Sequence, residues 1–385
     1  MTINDQIQGH LNDLKQQGLF RQLRLLTGAQ GRAIIVDGKR VLNFSSNNYL
    51  GLADDPRLIA AATKAMRAEG FGAGASRLVC GSMSAHAQLE DAMATFKGTQ
   101  RALVFNSGYA ANTGVIPALF DRQDIIFTDK LNHASIIDGI VLSRAAFKRY
   151  AHKDLAMLEE GLKSASGYRR RLIVTDSVFS MDGDVAPLQD IVRLARRYDA
   201  LVMVDEAHGV GVLGEHGTGL VEHVGLQGQV DIQMGTFSKA VGSFGAYVCA
   251  SAVIIEQLIN HARSFIYTTA LPPAIAAASL RGIQIIEQEP QLRQVLLANA
   301  EQVRRGAQAL GFHTLASTTS IIPIVLKEAA TVVDVSRRLL EQGIFVQAIR
   351  PPTVPVNTAR LRVTVMATHT KDDLKRLLDA LHHCR

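Results

Sequence analysis

The residue best suited to covalent chemistry is a lysine in a run of small and hydroxyl-bearing residues, Gly235-Thr236-Phe237-Ser238-Lys239. The run follows an apolar stretch at 231–234 and precedes a glycine-rich stretch at 240–245, which predicts a partly buried loop after a strand. Burial lowers the pKa of a lysine and makes its amine nucleophilic. Taken alone, the run would favour an ordinary surface lysine. A catalytic role for Lys239 therefore depends on other residues of the predicted site.

A second candidate is the run Asp205-Glu206-Ala207-His208, which directly follows the apolar stretch 201–204. A carboxylate at the end of a buried strand is costly unless it is paired. Two interpretations are open for Asp205. It could serve as a helix cap or internal salt bridge, or it could be the partner of a buried cationic ring nitrogen.

Other apolar stretches also end in polar residues. One leads to Ser107-Gly108-Tyr109, a helix start whose free N–H groups and dipole suit a phosphate, although an ordinary N-cap fits this pattern too. Two more lead to His133 and to Ser180. A single histidine or serine is usually structural, but polar residues at five strand ends together indicate a site.

The elements that must position these residues are five short apolar stretches separated by segments with helical spacing. The stretches lie at 102–105, 124–128, 171–175, 201–204 and 231–234. Nearly continuous apolar stretches are typical of strands buried on both faces, as in a mainly parallel sheet covered by helices. Such strands end at one edge of the sheet, where open α/β folds place their sites. The predicted fold class is therefore α/β.

The length of 385 residues predicts about two domains. We expect an N-terminal segment, 1–45, with a helix and a hairpin that turns at Asp37-Gly38. This segment should pack on the other domains, which are a large domain, 46–275, and a smaller C-terminal α/β domain, 276–385. Towards the C-terminus, the patterns predict a helical region at 272–310, strands at 321–326, 344–348 and 360–365, and helices at 331–342 and 371–382.

Composition argues against several classes of protein. No stretch approaches the roughly 20 apolar residues of a membrane helix, and residues 1–16 lack the apolar core of a signal peptide, which favours a cytoplasmic protein without a membrane partner. The three cysteines are widely spaced, and no metal site is predicted. The net charge is +6, but the sequence has no nucleic-acid recognition motif, so nucleic acid is not expected as a partner. That charge fits a solubilising surface or one that faces an anionic substrate.

Two glycine-rich stretches, 209–214 and 70–75, resemble the G-x-G-x-x-G pattern of dinucleotide sites. A working fingerprint follows a strand and needs a helix that begins at the glycines. Loop-forming residues follow the first stretch and a helical pattern precedes the second, so a dehydrogenase is a weak alternative. A basic binding protein without catalytic activity is weaker still, because five strand ends would have to converge by chance.

In their order along the chain, the motifs resemble the α-oxoamine synthases, a family of fold-type I enzymes that depend on pyridoxal 5′-phosphate (PLP). The similarity covers nearly the whole chain and implies a large PLP-binding domain and a smaller C-terminal one. It is carried by Asn47-Asn48-Tyr49-Leu50-Gly51, Gly74-Ala75-Ser76-Arg77, Ser107-Gly108-Tyr109, His133, Ser180-Met181-Asp182-Gly183, Asp205-Glu206-Ala207-His208-Gly209, the Lys239 segment, Tyr267-Thr268-Thr269, and the segment from Arg350 to Arg362.

The resemblance implies catalytic roles for residues around the PLP ring. Lys239 would hold PLP covalently as a Schiff base and later move protons. Asp205 would pair with the ring nitrogen, and His133 would stack on the ring face, where it also borders the substrate. Ser180 and His208 would form hydrogen bonds near the phenolic oxygen of the ring.

The resemblance also implies a homodimer with shared active sites, because both subunits would hold the cofactor phosphate. The residues concerned are Ser107, Gly108, Tyr109 and Thr236 from one subunit and Thr269 from the other.

The same resemblance places substrate contacts in both domains. Arg362, helped by Asn47, would hold the carboxylate of the amino acid. Arg21 and Thr353 lie where the family contacts the acyl-thioester substrate.

The C-terminal segment distinguishes between members of the family. Residues 349–355 and 358–362 resemble the biotin-pathway member, an acyltransferase that condenses L-alanine with a pimeloyl thioester and releases CO2 and the free thiol. Pimeloyl-CoA and a pimeloyl-acyl-carrier protein both stay open as donors, and a member that uses glycine and acetyl-CoA is an alternative. Asn357 stands where the family usually has glycine, and we expect the turn to survive because asparagine tolerates positive φ.

Overall fold

A computed structural model describes residues 1–384 and divides the chain into two compact units. The large unit comprises Asn47–Ser180 and Asp184–Val295. The small unit comprises Met1–Ser46, Met181–Gly183 and the residues from Leu296 on.

The secondary structure alternates between strands and helices through most of the chain. In chain order the strands are β1 Leu26–Thr27, β2 Ala33–Val36, β3 Lys39–Asn43, β4 Arg101–Phe105, β5 Ile125–Asp129, β6 Ala146–Tyr150, β7 Arg171–Asp176, β8 Leu201–Asp205, β9 Ile232–Thr236, β10 Ala246–Ala250, β11 Ile321–Lys327, β12 Ile344–Phe345, β13 Gln347–Ile349 and β14 Ala359–Thr364. The α-helices are α1 Ile3–Gln16, α2 Pro56–Glu69, α3 Ser84–Lys97, α4 Gly108–Leu119, α5 Ala134–Ser143, α6 Leu155–Lys163, α7 Leu188–Arg197, α8 Leu220–His223, α9 Ala252–His261, α10 Arg263–Ile266, α11 Pro273–Gln288, α12 Gln291–Ala309, α13 Ala329–Glu341 and α14 Lys371–His383.

The large unit is built on a seven-stranded sheet in the order β4-β10-β9-β8-β7-β5-β6. Strands β6, β5, β7, β8 and β9 run parallel, whereas β10 is antiparallel to both β9 and β4. The predicted α/β class with a mainly parallel sheet is confirmed. Because β4 also runs in the direction of the parallel strands, all five predicted strands end at the same edge.

Two strands of this sheet were missed by the sequence patterns. Strand β6 lies at the edge of the sheet and exposes Phe147, Lys148 and Arg149, so its residues do not form a continuous apolar run. Strand β10 is fully buried, but it is rich in alanine and cysteine and follows a glycine-rich loop. Alanine is uncommon in strands, so a prediction based on runs of β-branched residues does not detect β10.

The boundary of the large unit lies at 295/296, whereas the sequence placed it at 275/276. Helix α11 belongs to the large unit because nine of its residues are buried, and Gly282 packs against the loop after β9. The helical region predicted at 272–310 is two helices, α11 and α12, which are separated at Glu289-Pro290. A proline cannot continue the hydrogen bonding of the preceding helix, so the chain turns there.

The small unit contains two sheets, with the strand orders β1-β2-β3-β12 and β11-β14-β13. The predicted hairpin is confirmed as β2 and β3, with Asp37 and Gly38 at φ of 49° and 81° in its turn. Strand β3 also pairs in parallel with β12, and Phe44 joins the core formed with Ile322 and Leu361. The N-terminal residues, which the sequence predicted as a segment packing on the other domains, are thus grouped with the small unit.

Two details of the C-terminal residues follow from local backbone conformation. The strand predicted at 344–348 is divided between β12, which pairs with β3, and β13, which pairs with β14. Asn357 has a φ of 63°, in the left-handed region that glycine adopts without strain. The expectation that asparagine would fit this turn is confirmed.

Residues Met181–Gly183 contact β14 and the segment just before β11, which explains their assignment to the small unit. The carbonyl oxygen of Gly183 accepts hydrogen bonds from Thr318 N at 3.1 Å and Thr319 Oγ1 at 2.9 Å. Arg360 of β14 donates to Asp182 Oδ1 at 2.5 Å.

Among the described residues, no helix combines the length and apolarity needed to cross a membrane.

The packing of α11 gives a first prediction. A Cβ atom at Gly282 would lie 2.6 Å from the carbonyl oxygen of Val241, which is backbone and cannot rotate away. We expect Gly282→Ala to reduce the free energy of unfolding by about 1–3 kcal/mol, the usual range for overpacking. Urea unfolding followed by circular dichroism measures this.

The matched control is Gly9→Ala in helix α1, where an added Cβ meets no atom within 4 Å. Its stability is expected to be unchanged or slightly raised, because alanine is the better helix former. Equal stability of the two variants would contradict the packing described for α11.

Candidate active site

The carboxyl ends of β4, β5, β7, β8 and β9 border one cavity of about 210 Å³ in the large unit. Most of the residues proposed for the cofactor line it, together with residues that the sequence did not single out. The lining residues are Gly108, Tyr109, His133, Ser135, Asp176, Ser180, Asp205, Ala207, His208, Met234, Thr236, Ser238 and Lys239.

Asp205 is the last residue of β8, and only 4% of its surface is exposed. Its Oδ2 accepts a hydrogen bond from Asn112 Nδ2 at 3.0 Å, and its Oδ1 accepts from the backbone N–H of Ala207 at 2.9 Å. Burial raises the pKa of the Asp205 carboxyl, and the bond from Asn112 and the charge of Lys239 oppose this rise. A cation placed in the cavity would therefore stabilise the ionised form.

Asp176, at the end of β7, was not predicted to belong to the site. It stands beside Asp205 in the register of the parallel strands β7 and β8. Burial, followed by the charge of Asp205, raises the pKa of Asp176 well above its usual value. Its Oδ2 accepts the backbone N–H of His133 at 2.8 Å, so this second carboxyl holds the start of α5. Its position directly after the stretch 171–175 is the signal that could have identified it.

His133 is the N-cap residue of α5, and its ring is open to the cavity. The backbone N–H of Ser135 donates to its Nδ1 at 3.2 Å, and Ser135 Oγ lies 2.7 Å from the same atom. Partial desolvation by surrounding protein atoms lowers the pKa of His133, although the charge of Asp205 opposes this effect. These interactions favour a neutral ring with its proton on Nε2, a form suited to stacking.

The residues proposed for a phosphate lie at the start of α4. Ser107 is the N-cap, and its Oγ accepts the N–H of Ala110 at 3.1 Å. The N–H groups of Gly108 and Tyr109 donate to no other group within residues 1–384. A Cβ at Gly108 would lie 2.6 Å from Thr236 Cγ2, so only glycine brings this backbone so close to Thr236. Free N–H groups at a helix start beside a hydroxyl group form an anion-binding arrangement.

Lys239 lies three residues after the end of β9, in a loop closed by backbone hydrogen bonds. Its carbonyl oxygen accepts the N–H of Gly242 at 3.0 Å, and Phe237 accepts from Ser243 at 2.8 Å. The lysine is half-buried, and its Nζ lies 3.4 Å from Thr236 Oγ1 at the cavity wall. The amine that could form a covalent bond is thus next to the residues that could bind a phosphate.

Tyr49 provides a further contact at this site. Its ring is fully buried, and its hydroxyl lies 2.6 Å from His208 Nδ1 and 3.3 Å from Asn47 Oδ1. Tyr49 therefore orients His208, which lines the cavity, and ties it to Asn47. Its motif was noted in the sequence, but a role for the tyrosine was not predicted.

Thr269 lies outside the lining of this cavity. It is exposed, and its carbonyl oxygen accepts a hydrogen bond from Asn106 Nδ2 at 2.8 Å. The same nitrogen donates to Thr268 Oγ1 at 3.1 Å. Asn106 thereby fixes the exposed segment that carries Thr269.

The remaining predicted residues, Arg21, Thr353 and Arg362, belong to the small unit. Arg362 is a buried residue of β14. Arg21 Nη2 donates to Thr353 Oγ1 at 3.3 Å, and both line a cavity of about 900 Å³ in the small unit. Arg24 and Arg350 line the same cavity, as does the acidic Asp37, whose Oδ2 lies 3.8 Å from Arg24 Nη1. The three arginines outweigh this single carboxylate, so the cavity has a basic character suited to an anionic ligand.

The residues of the large unit fit PLP. The buried carboxyl of Asp205, whose ionised form a nearby cation would stabilise, suits a cationic ring nitrogen, and an open neutral imidazole suits a ring face. The unused N–H groups at the start of α4 suit the phosphate, and the amine of Lys239 suits the carbonyl carbon. Asp205, His133, Gly108, Tyr109 and Lys239 would take these parts.

Comparisons with known proteins agree with this chemistry. The model of the family "Aminotransferase class I and II" matches residues 39–381. An 8-amino-7-oxononanoate synthase from Geobacter sulfurreducens is 53% identical over 377 residues, which cover 97% of this chain and 96% of the relative.

Solved structures are also similar. A serine palmitoyltransferase variant from S. paucimobilis with a bound PLP–myriocin aldimine has a TM-score of 0.94 and 31% identity, and the match covers 99% of this chain and 96% of that one. An 8-amino-7-oxononanoate synthase from Francisella tularensis has a TM-score of 0.78 and 32% identity, and the match covers 89% of this chain and 97% of that one.

The contact between Asn112 and Asp205 gives a second prediction. The Asn112 amide also donates to Ser135 Oγ at 2.9 Å. Asn112→Ala therefore removes one hydrogen bond from Ser135 Oγ and one from Asp205 Oδ2, both of which are buried. We expect the free energy of unfolding to fall by about 1–3 kcal/mol, which urea titration of the cofactor-free protein measures. Asn260→Ala, at an exposed helical position, should leave it within about 0.5 kcal/mol. The interpretation of Asn112 as a partner of Asp205 fails if both variants match the parent protein.

Proposed function

The chain belongs to the 8-amino-7-oxononanoate synthases of the class I and II aminotransferase family, and we propose that it condenses L-alanine with a pimeloyl thioester. The products are 8-amino-7-oxononanoate, CO2 and the free thiol, as in biotin biosynthesis. The chain is accordingly a PLP-dependent acyltransferase. The family predicted from the motifs is confirmed.

The observation that carries the chemistry is the shared cavity of Lys239, Asp205 and His133 beside the start of α4. A lysine in a loop, a carboxyl at a strand end or a helix start is each common by itself. Their convergence at one edge of a parallel sheet matches what PLP requires from a protein.

When bound, PLP supplies a protonated pyridine ring that withdraws the electron pair left at the Cα atom of the amino acid. Asp205 keeps the ring nitrogen protonated, because a carboxylate beside it favours the charged form. Asn112 holds the Asp205 carboxylate in place through the hydrogen bond at 3.0 Å.

Lys239 has two tasks in this proposal. Its amine would hold the cofactor covalently, and its Nζ would later take the proton from the Cα atom of L-alanine. The loop after β9 restrains the lysine backbone, so the amine stays near the cavity during both tasks. Positioning of this kind lowers the entropic cost of proton transfer.

The other residues of the large unit orient the reactants. His133 covers a ring face, and Ser180 and His208 bond near the phenolic oxygen. The N–H groups of Gly108 and Tyr109 hold the phosphate, with Ser107 and Thr236 beside them.

The substrate contacts of Arg362, Asn47, Arg21 and Thr353 remain proposals based on the family pattern. The basic cavity of about 900 Å³ around Arg21 and Thr353 supports a site for an anionic acyl carrier in the small unit. Coenzyme A and an acyl-carrier protein both carry such charge, so both donors remain open.

A homodimer with shared active sites is part of the proposal, with Thr269 serving the phosphate site of the second subunit. Support comes from the exposed position of Thr269 beside Tyr267, which is 71% exposed. Phe71 and Val79 of the same unit are each 78% exposed, and large apolar side chains of this kind are typical of an interface. A cytoplasmic location stays a prediction from the sequence.

The dehydrogenase alternative is not supported at the first glycine-rich stretch. Residues 209–214 form turns after β8, and the next helix begins only at Leu220. The fingerprint requires a helix that begins at the glycines, and that condition is not met.

The direct test is turnover by the purified protein loaded with PLP. With L-alanine and pimeloyl-CoA or pimeloyl-acyl-carrier protein, we expect equal amounts of CO2 and free thiol. Lys239→Ala should reduce turnover by at least about 10³-fold, since it removes both anchor and base. Lys375→Ala, at an exposed position of α14, is the control and should keep full activity.

Two outcomes would contradict the proposal. One is the absence of CO2 and thiol release with either pimeloyl donor. The other is faster turnover of glycine with acetyl-CoA than of L-alanine with a pimeloyl thioester.

The role of Asp205 gives a further prediction. Asp205→Asn removes the charge that keeps the ring nitrogen protonated, so kcat should fall by at least about 100-fold. Retained absorbance of the bound cofactor would show that PLP is still present. Asp91→Asn, on the exposed face of α3, should leave kcat unchanged. Full activity of Asp205→Asn would refute the assigned role.

A further inference from the structure

His152 lies outside the cavity, between two carboxyl groups of the large unit. Its Nδ1 is 3.0 Å from Asp129 Oδ1, and its Nε2 is 3.0 Å from Asp184 Oδ2. The carboxyl groups are nearly inaccessible, whereas a quarter of the His152 side chain is exposed. Lys153 also contacts Asp184, with its Nζ 2.8 Å from Oδ2.

The geometry favours a doubly protonated ring as long as both carboxyl groups are ionised. Each ring nitrogen faces a carboxylate oxygen, which can only accept, so both nitrogens must donate. Burial by itself would lower the pKa of His152, but the hydrogen bonds and charges of Asp129 and Asp184 outweigh it and raise the pKa to about 9. The charged groups around the ring in this unit are Asp129, Asp184 and Lys153, and the uncharged Tyr150 hydroxyl is buried nearby.

Asp129 forms hydrogen bonds with the segment that leads to His133. It is the last residue of β5, and its Oδ1 accepts the N–H of Leu131 at 2.8 Å while its Oδ2 accepts the N–H of Lys153 at 2.9 Å. The N–H of Asn132 donates to the Asp129 carbonyl oxygen at 3.2 Å. The turn that delivers His133 to the cavity is therefore closed on Asp129.

Asp184 forms a hydrogen bond with the segment that carries Ser180. Its carbonyl oxygen accepts the N–H of Phe179 at 3.0 Å, and Val178 forms a bridge with Val185, so the residues between them make a closed loop. The Phe179 ring lies edge-on to the His152 ring with the centroids 4.4 Å apart. Asp184 therefore connects His152, through its carboxylate, with the backbone of Phe179 next to Ser180, through its carbonyl oxygen.

We propose that His152 is a positioning residue whose cationic ring bridges the His133 segment and the Ser180 segment and fixes both at the cofactor cavity. The bridge joins the loop after β5 to the loop after β7. Its consequence for catalysis rests on the proposed function, because His133 and Ser180 matter to the reaction only if PLP occupies the cavity.

Replacement by glutamine tests the bridge, because glutamine cannot donate in two opposite directions as the charged ring does. In His152→Gln, hydrogen exchange of peptides that contain 130–134 and 176–181 should accelerate roughly tenfold in the cofactor-free protein. Exchange in β8 should be unchanged. The control is His261→Gln, at an exposed ring that bonds only a helical carbonyl.

The loaded enzyme provides an independent readout. His152→Gln should weaken PLP binding and lower kcat by roughly tenfold, while the KM for the pimeloyl thioester stays unchanged. His152→Arg, which again donates to two carboxylates, should restore part of the PLP affinity. Should His152→Gln fail to fold, Asp184→Asn provides the same comparison with a milder change of shape.

The proposal is overturned if exchange accelerates in only one of the two segments, or in neither, in a folded variant. It is also overturned if PLP affinity is the same as in the parent protein. Exchange and PLP binding are measured without substrates, so failure of the condensation reaction in the parent protein would count against the proposed function alone.

Discussion

Two carboxyl groups stand side by side at the ends of neighbouring parallel strands, and the rest of the site is arranged around them. Asp176 and Asp205 are opposite each other in the register of β7 and β8, and both are buried. Burial raises the pKa of each, and the charge of Asp205 raises that of Asp176 further. The fold can keep such a pair only where donors and positive charge offset the cost.

The compensating groups are the ones that form the site. Asn112, the amide of Ala207 and Lys239 stabilise Asp205, and the amide of His133 stabilises Asp176. A cationic ring nitrogen in the cavity would complete this balance. Cofactor binding and the stability of the sheet edge therefore both depend on offsetting the cost of burying Asp176 and Asp205. The proposed His152 bridge connects the loops that follow β5 and β7 at the same edge.

The sequence predicted the fold and the positions of the site where one physical signal was dominant. Continuous apolar stretches marked β4, β5, β7, β8 and β9, because strands buried on both faces leave that pattern. Contacts that depend on tertiary packing were not visible. The pairing of Asp176 with Asp205 needs the strand register, and the assignment of α11 to the large unit needs the close approach of Gly282 to Val241. Tyr49 and His208 are far apart in the chain, and only folding shows that the two residues are hydrogen-bonded.

The location of the covalent cofactor bond is the most direct test of the site, and peptide mapping determines it. Purified protein is loaded with PLP, reduced with borohydride, digested and analysed by mass spectrometry. We expect one major pyridoxyl-modified peptide, which contains Gly235-Thr236-Phe237-Ser238-Lys239 and carries the added mass on Lys239. A major adduct on any other lysine, such as the buried Lys97, or the absence of a reducible adduct would contradict it.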